Sequence, residues 1–575
     1  MMTDRMSYEV ESRGKKMHMN KNIARLAVTA GLTAALSFGG VMAPVTMAFA
    51  EGDDTITITQ VDKNGTTKFK AYQIFTAKVV DQNKSKVASD INWANNETKG
   101  AVIGVLKKVK GSGIDDSSTP EAVADYLAQN VKDTTDDTRV NNNDLLYKIA
   151  DAVAKASTQT GASFAAGTPF TATSNGYYLF VTDALDVSKP NTGTSPIFAL
   201  VGGKSVTVTE KTSIPTVTKK VKDDKPNSIW ADKADSQMGQ NVNYQLTGTV
   251  ANNVASFSTC KYEFYDELSA GLTAEKGSIK VYAGTDRGTA TEIAADNNYT
   301  ADVTADELTG KSTLTVKFTD LKTAVADLSA QTKIYVEYTA KLDPEKDANV
   351  VVGGNGNENT VKLVYSNNPM AEGTGTSMPD TVRDYTYALK LVKQDHESKD
   401  KLQNVGFTIQ ATVPDDNADG SASKNKYVQE HGNLGETPHE FFTDENGEIY
   451  IKGLDAGTYT VHEQTALGNY NSLKDFTFTI STQASSADSL HKTEEEAQNV
   501  TVTRTAETSD FVILEGATQT DGTVILTVEN KKGSNLPLTG LNGVTFTWIA
   551  GGAVLCIGVA HLIRSRKQAE ESEQE

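Results

Sequence analysis

Residues 388–395 read Ala-Leu-Lys-Leu-Val-Lys-Gln-Asp. As a strand this segment has a side-chain period of two, so Leu389, Leu391 and Lys393 share one face. That face is apolar, and Lys393 stands on it. A lysine carried inward is costly as a cation, so its pKa falls and the neutral amine becomes accessible. A neutral amine is a nucleophile. Two further segments supply what it could attack. Gly457-Thr458-Tyr459-Thr460-Val461-His462-Glu463 places Tyr459, Val461 and Glu463 on one strand face, and Val524-Ile525-Leu526-Thr527-Val528-Glu529-Asn530 does the same for Leu526, Val528 and Asn530. Three strands of one all-β region thus carry an inward lysine, acid and carboxamide. The plainer alternative is a Lys393 that snorkels at the strand edge and pairs with Glu463.

Working outward, residues 381–533 read as short strands and turns throughout, with Asn446-Gly447 as a hairpin turn signal before Glu448-Ile449-Tyr450-Ile451. Residues 213–380 repeat that texture. Ile334 to Leu342 alternates strongly, and in Pro215-Thr216-Val217-Thr218-Lys219-Lys220-Val221 the inward position is Lys219. Phe264-Tyr265-Asp266-Glu267-Leu268 offers Asp266 as an acid. Asn359 and Asn367 both lie on the Val361/Leu363/Tyr365 face. Residues 51–212 mix strands and helices. Thr55 to Thr59 alternates, and Thr119-Pro120-Glu121 opens a helix with a threonine cap and a first-position proline. Asp144 caps another helix with Leu145, Ile149, Ala152 and Val153 on one face, and Gly176 to Val181 returns to strand. Short strands with regular turns predict β-sandwiches of immunoglobulin-like type.

The ends of the chain predict export. Lys15, Lys16, Lys21 and Arg25 precede an apolar stretch that closes on Ala48-Phe49-Ala50, a secretory signal peptide cut after Ala50. The working start of translation is Met1, Met17 or Met19. At the other end, Val544 to Ile563 is a 20-residue run without formal charge, followed by Arg564, Arg566 and Lys567. That length spans a bilayer as a helix, and the basic flank places the C-terminus inside. Leu536-Pro537-Leu538-Thr539-Gly540 stands just before it.

This arrangement of pentapeptide, hydrophobic span and basic tail resembles the cell-wall sorting signal of Gram-positive surface proteins. The resemblance implies that a sortase cysteine cleaves between Thr539 and Gly540 and passes the Thr539 carboxyl to an amine. The 381–533 pattern resembles the collagen-adhesin B-type domain of Gram-positive pilins, in which a first-strand lysine is joined to a last-strand asparagine. Carried onto this chain, the pair is Lys393 and Asn530, with Glu463 as the assisting acid. A buried, protonated Glu463 polarises the carboxamide, Lys393 attacks its carbon, and ammonia leaves. The middle region resembles the collagen-adhesin A-type domain of backbone pilins. That likeness implies a Lys219 to Asn359 bond assisted by Asp266, with Asn367 as the alternative partner. Val206-Thr207-Val208-Thr209-Glu210-Lys211 resembles the pilin motif that ends in the joining lysine, here Lys211, with Thr209-Glu210 in place of its Tyr-Pro.

The whole chain resembles a backbone subunit of a sortase-assembled pilus. The division implied is 1–50 signal peptide, 51–212 N-terminal pilin domain with inserted helices, 213–380 middle domain, 381–533 collagen-adhesin B-type domain and 534–575 sorting signal. The partners implied are pilus-type and housekeeping sortases, copies of the same chain, minor pilins, peptidoglycan and a possible host surface ligand. The rival reading is a monomeric wall-anchored adhesin, or a tip or basal minor pilin.

Composition fits that class. The 575-residue chain carries 55 Lys and Arg against 74 Asp and Glu. Residues 51–539 keep 46 and 67 of these, a net charge of −21. Such acidity argues against nucleic-acid binding and favours solubility. Of two cysteines, Cys556 lies in the apolar span, which leaves Cys260 alone and no disulfide within 51–539. Covalent ties between first and last strands would fill that role. Asp415 to Gly420 begins like a calcium loop, but Lys426 stands where the closing Glu is required. His462-Glu463 begins like a zinc-protease motif, with Ala466 in place of the second histidine. No enzyme of external substrates, metal site or cofactor is expected.

Overall fold

A computed structural model describes residues 54–60, 67–82, 85–131, 142–157, 163–185, 189–210, 213–223, 228–414, 423–482, 502–506, 508–516, 518–519 and 521–533. The chain is mainly β and divides into two compact units. One comprises the described residues of Met1–Val351 and Asn355–Tyr385, the other those of Val352–Gly354, Thr386–Gln483 and Asn499–Glu575.

The first unit opens with a five-stranded sheet. Its main path runs Ser85–Trp93, Thr67–Gln82, Gly176–Leu185, Ile197–Val201, and Phe164–Ala165 pairs with Thr67–Gln82. The segment from Gly176 is a strand, as expected, but it does not alternate: Gly176 to Thr182 are all buried. The reason is a layer on each face. Tyr177, Leu179 and Val181 pack with the helices Asn96–Leu106, Pro120–Asn130 and Leu145–Ala156. Tyr178 and Phe180 pack with Ile56, Ile58 and Val208 of a small three-stranded sheet. In that sheet Thr55–Gln60 runs parallel to Val206–Glu210. Thr119 caps its helix as expected, accepting from the Ala122 amide at 3.2 Å. Asp144 occupies the cap position of the third helix without a side-chain cap bond. The buried face of that helix is Leu146, Tyr147, Ile149, Ala150 and Val153, so Leu145 and Ala152 sit at its margin instead of its centre.

The rest of this unit is a sandwich of two seven-stranded sheets. One contains Val217–Lys222, Val242–Thr249 and Lys333–Leu342 side by side; the other contains Asp380–Tyr385, Asn357–Ser366, Tyr262–Leu268 and Ser312–Phe318 in that order. A single apolar cluster from Val217 to Val382 fills the space between them. The strand Asp380–Tyr385 straddles the boundary expected at 380 and pairs with Asn357–Ser366 inside this unit. The segment around Asn191 to Ser195 is buried against the sandwich. Tyr365 donates to the Asn191 carbonyl at 3.0 Å, Asn253 donates to the Gly193 carbonyl at 2.9 Å, and the Ser195 and Ser256 hydroxyls meet at 2.7 Å.

The second unit is also a sandwich. A four-stranded sheet runs Glu448–Leu454, Tyr387–Asp395, Thr523–Asn530, Val512–Glu515. It faces a larger sheet in which Gly406–Pro414 pairs with Gly457–Thr465. First and last long strands are parallel neighbours, with Leu391 opposite Leu526 and Lys393 opposite Val528. The turn expected at Asn446-Gly447 is present: Gly447 has φ +70° and donates to the Asp444 carbonyl at 3.0 Å. A side-chain carbon at Gly447 would lie 2.5 Å from the Lys393 carbonyl oxygen. Gly447→Ala is therefore expected to cost about 1–3 kcal/mol, from left-handed backbone and displacement of the Lys393 strand together. Denaturant unfolding checks this.

Candidate functional site

In the second unit, alternation on three strands brings Lys393, Glu463 and Asn530 to one point between the sheets. All three are buried, Lys393 completely. Lys393 Nζ donates to Asn530 Oδ1 at 2.5 Å. Asn530 Nδ2 donates to Glu463 Oε1 at 2.6 Å, and the same oxygen lies 3.6 Å from Lys393 Nζ. Glu463 is fixed from behind by the Leu473 amide, which donates to Oε2 at 2.6 Å. The Phe407 ring, in register beside Glu463, covers the ammonium position at 5.6 Å. Burial pulls the Lys393 pKa down to about 8, against the opposing attraction of Glu463. The amine is thus far easier to deprotonate than a solvated lysine, and it touches a carboxamide whose nitrogen is held by an acid.

The first unit contains a second cluster built across the two seven-stranded sheets of its sandwich. Lys219, fully buried on Val217–Lys222, donates to both oxygens of Asp266 at 2.6 and 2.5 Å. It also donates to Tyr338 Oη at 2.9 Å. Tyr338 Oη donates to Asp266 Oδ2 at 2.6 Å and accepts from Asn359 Nδ2 at 2.7 Å. Tyr244 and Tyr338 stack with centroids 5.3 Å apart, and Lys219 Nζ lies 5.3 Å from each ring. Burial again dominates and brings the Lys219 pKa down to about 8, opposed by Asp266.

Of the two asparagines left open by the sequence, Asn359 belongs to this cluster. Asn367 is buried elsewhere, donating to Asn191 Oδ1 at 3.2 Å. One expectation needs correcting. A Lys219–Asn359 tie would not join first and last strands, because Asp380–Tyr385 follows Asn359's strand and pairs with it. The sequence reading also did not single out Tyr338. The signal was present, since Tyr338 shares the buried face of Ile334, Val336, Ala340 and Leu342. An aromatic on such a face reads as core, and only its hydroxyl partners distinguish it.

Residues 1–50, Lys211, the loop Asp415 to Gly420, Leu536-Pro537-Leu538-Thr539-Gly540 and the 544–563 span lie outside the described residues. The strand Val206–Glu210 ends immediately before Lys211. Among the described residues no helix is long and apolar enough to cross a membrane.

The lysine-bearing first strand and the acid-bearing strand fall within one recognised sequence family. Residues 387–496 match the SpaA prealbumin-like fold domain. The match begins at the first residue of the Tyr387–Asp395 strand and includes Lys393 and Glu463, while Asn530 lies beyond it. No curated protein matches the chain. Among solved structures, the chain is similar to the T6 backbone pilin of serotype M6 Streptococcus pyogenes at 16% identity, over 84% of this chain and 99% of that one, with a TM-score of 0.49. It is similar to the full-length major pilin SpaD from Corynebacterium diphtheriae at 14% identity, over 83% and 96%, with a TM-score of 0.42. It is similar to BcpA, the major pilin subunit of Bacillus cereus, at 14% identity, over 83% and 99%, with a TM-score of 0.35.

Proposed function

We propose that this chain is a structural shaft subunit of a covalently polymerised surface pilus, stiffened by intramolecular Lys–Asn bonds. The observation that carries the reading is the buried meeting of Lys393, Glu463 and Asn530 on the first, an opposing and the last strand of a sandwich that begins with a prealbumin-like domain. The chemistry is a single turnover. Moving one proton from the lysine to the acid turns a buried ion pair into a neutral amine and a neutral acid, which a low-dielectric interior tolerates better. Lys393 Nζ adds to the Asn530 carboxamide carbon, Glu463 shuttles the proton to Nδ2, and the C–N bond breaks to release ammonia. Lys219, Asp266 and Asn359 form a second bond by the same balance. The chain is a substrate of these reactions and turns over no external substrate.

The sorting pentapeptide and signal peptide support a mature chain at the cell wall, in three domains over 51–212, 213–385 and 386–533, the second boundary placed after the Asp380–Tyr385 strand. A pilus-type sortase holds Thr539 as an acyl-enzyme, and Lys211 of another copy displaces the cysteine to give a subunit-to-subunit amide. A housekeeping sortase then transfers the fibre to peptidoglycan, with minor pilins joined to the same shaft and adhesion to a host surface as its use. Each internal bond shortens the path that carries tension. Force entering at Tyr387 crosses to Asn530 at Lys393, so the chain between them is unloaded.

An immunoblot of wall extracts boiled in SDS tests the reading. The expected result is a ladder of high-mass species that collapses to monomer in Lys211→Ala. A ladder that survives the substitution keeps the shaft and removes Lys211 as the joint. A single band near the monomer mass in the wild type overturns the shaft reading and favours a monomeric adhesin.

A further inference from the structure

The two clusters connect acid to carboxamide in different ways. Glu463 receives the Asn530 nitrogen directly, at 2.6 Å. Asp266 is shorter by one methylene. It meets Lys219 directly, and its hydrogen-bonded route to Asn359 runs through the Tyr338 hydroxyl. Asn359 Oδ1 is buried without a hydrogen-bond partner, so the carboxamide is held by its nitrogen, at Tyr338. The hydroxyl therefore touches both reacting nitrogens, Lys219 Nζ and Asn359 Nδ2, and the acid between them.

We propose that Tyr338 is a catalytic residue of the Lys219–Asn359 crosslink, its hydroxyl carrying a proton from Asp266 to the departing Asn359 nitrogen. This rests on the pairing of Lys219 with Asn359 given above. The balance is as follows. Asp266 takes the ammonium proton of Lys219, the neutral amine adds to Asn359 Cγ, and the further proton that the adding nitrogen sheds returns to Asp266 once its first has been passed on. Asp266 gives a proton to Tyr338 Oη as Tyr338 Oη gives its own to Nδ2. The Cγ–Nδ2 bond breaks, ammonia leaves, and the Nζ–Cγ amide remains. Tyr338 ends as it began.

Two features suit it to this role. Burial, reinforced by the Asp266 carboxylate, pushes its phenol well above the ordinary tyrosine range, so the proton is present when the amine departs. Its ring is stacked on Tyr244 at 12° to parallel, which fixes the oxygen between Asp266 and Asn359, so that rotation of the O–H alone turns its donation from Asp266 Oδ2 to Nδ2 once that nitrogen can accept.

The test uses the full chain made by cell-free synthesis in detergent and sampled by intact mass over time. In a Lys393→Ala background, of the two clusters only the middle one can lose ammonia. With Tyr338 intact this chain is expected to fall short of its theoretical mass by one ammonia; if it does not, the Lys219–Asn359 pairing itself fails. Adding Tyr338→Phe keeps the ring and removes the relay, and is expected to slow the loss about a hundredfold or more. Loss at the unchanged rate overturns the proposal. Circular dichroism compared with Lys219→Ala, which also lacks the bond, establishes that the variant folds. Should it not fold, fluorinated tyrosine at position 338 keeps ring and hydroxyl while changing phenol acidity. A changed rate supports the relay, and an unchanged rate overturns it.

Discussion

Lys393→Ala is expected to leave the purified protein one ammonia heavier than wild type, once the substitution itself is allowed for, and to destabilise the C-terminal unit by about 5 kcal/mol or more. The mass follows because the nucleophile is gone. The stability change has two parts. The wild-type bond would close a loop whose ends are 137 residues apart, which by the loop-entropy relation restricts the unfolded chain by about 5 kcal/mol. The substitution also leaves Glu463 buried with no cation beside it and a cavity under Phe407, and each adds to the loss. Hydrogen exchange at the paired strands Gly406–Pro414 and Gly457–Thr465 reads this unit separately from the rest of the chain. Protection equal to wild type, together with the same ammonia deficit in both proteins, would remove the crosslink from the account of this domain.

Glu463→Gln is expected to slow the same bond by about 10²–10⁴-fold, the usual range for loss of a positioned acid–base group. Glutamine keeps the length and can still accept a hydrogen bond from Asn530 Nδ2, but it cannot receive the lysine proton or deliver one to the leaving nitrogen. Without the Glu463 carboxylate, burial lowers the Lys393 pKa further and the amine is neutral more of the time, so the expected loss lies in proton delivery to the leaving nitrogen. Freshly synthesised protein should therefore show the Lys219–Asn359 loss of ammonia at its normal rate and the Lys393–Asn530 loss delayed or missing. Equal rates at both sites would assign Glu463 a purely structural place beneath Leu473, whose amide it accepts. Because Glu463 and Lys393 are both taken out of water, the pair is poor evidence for stability on its own. Its better use is chemical, as the local source and sink of one proton.

Much of this was legible in the sequence because strand geometry is strict. A period of two put Lys393, Glu463 and Asn530 on inward faces, and the structure brings those three side chains together. The same rule found Lys219 and Asp266, whose side chains meet at 2.5 Å. The Thr119 cap and the Asn446-Gly447 turn were readable for a similar reason, since each is specified by local hydrogen bonding and backbone sterics. Periodicity was less informative where both faces of a strand are covered. Gly176–Leu185 has no polar face to reveal its orientation, because helices pack on one side and a second sheet on the other.

What only the tertiary structure decided is which equivalent residues meet. Asn359 and Asn367 share a face in sequence, and nothing local separates them. Sheet pairing does so, placing Asn359 beside Tyr338 and turning Asn367 toward Asn191. Tyr338 joins Lys219 across 119 residues of chain and across the intervening Val242–Thr249 strand, in a strand order that no pattern of hydrophobic residues encodes. Alternation fixes the direction of a side chain along its own strand, whereas its partners depend on strand order and register, which are set by the packing of the whole sandwich.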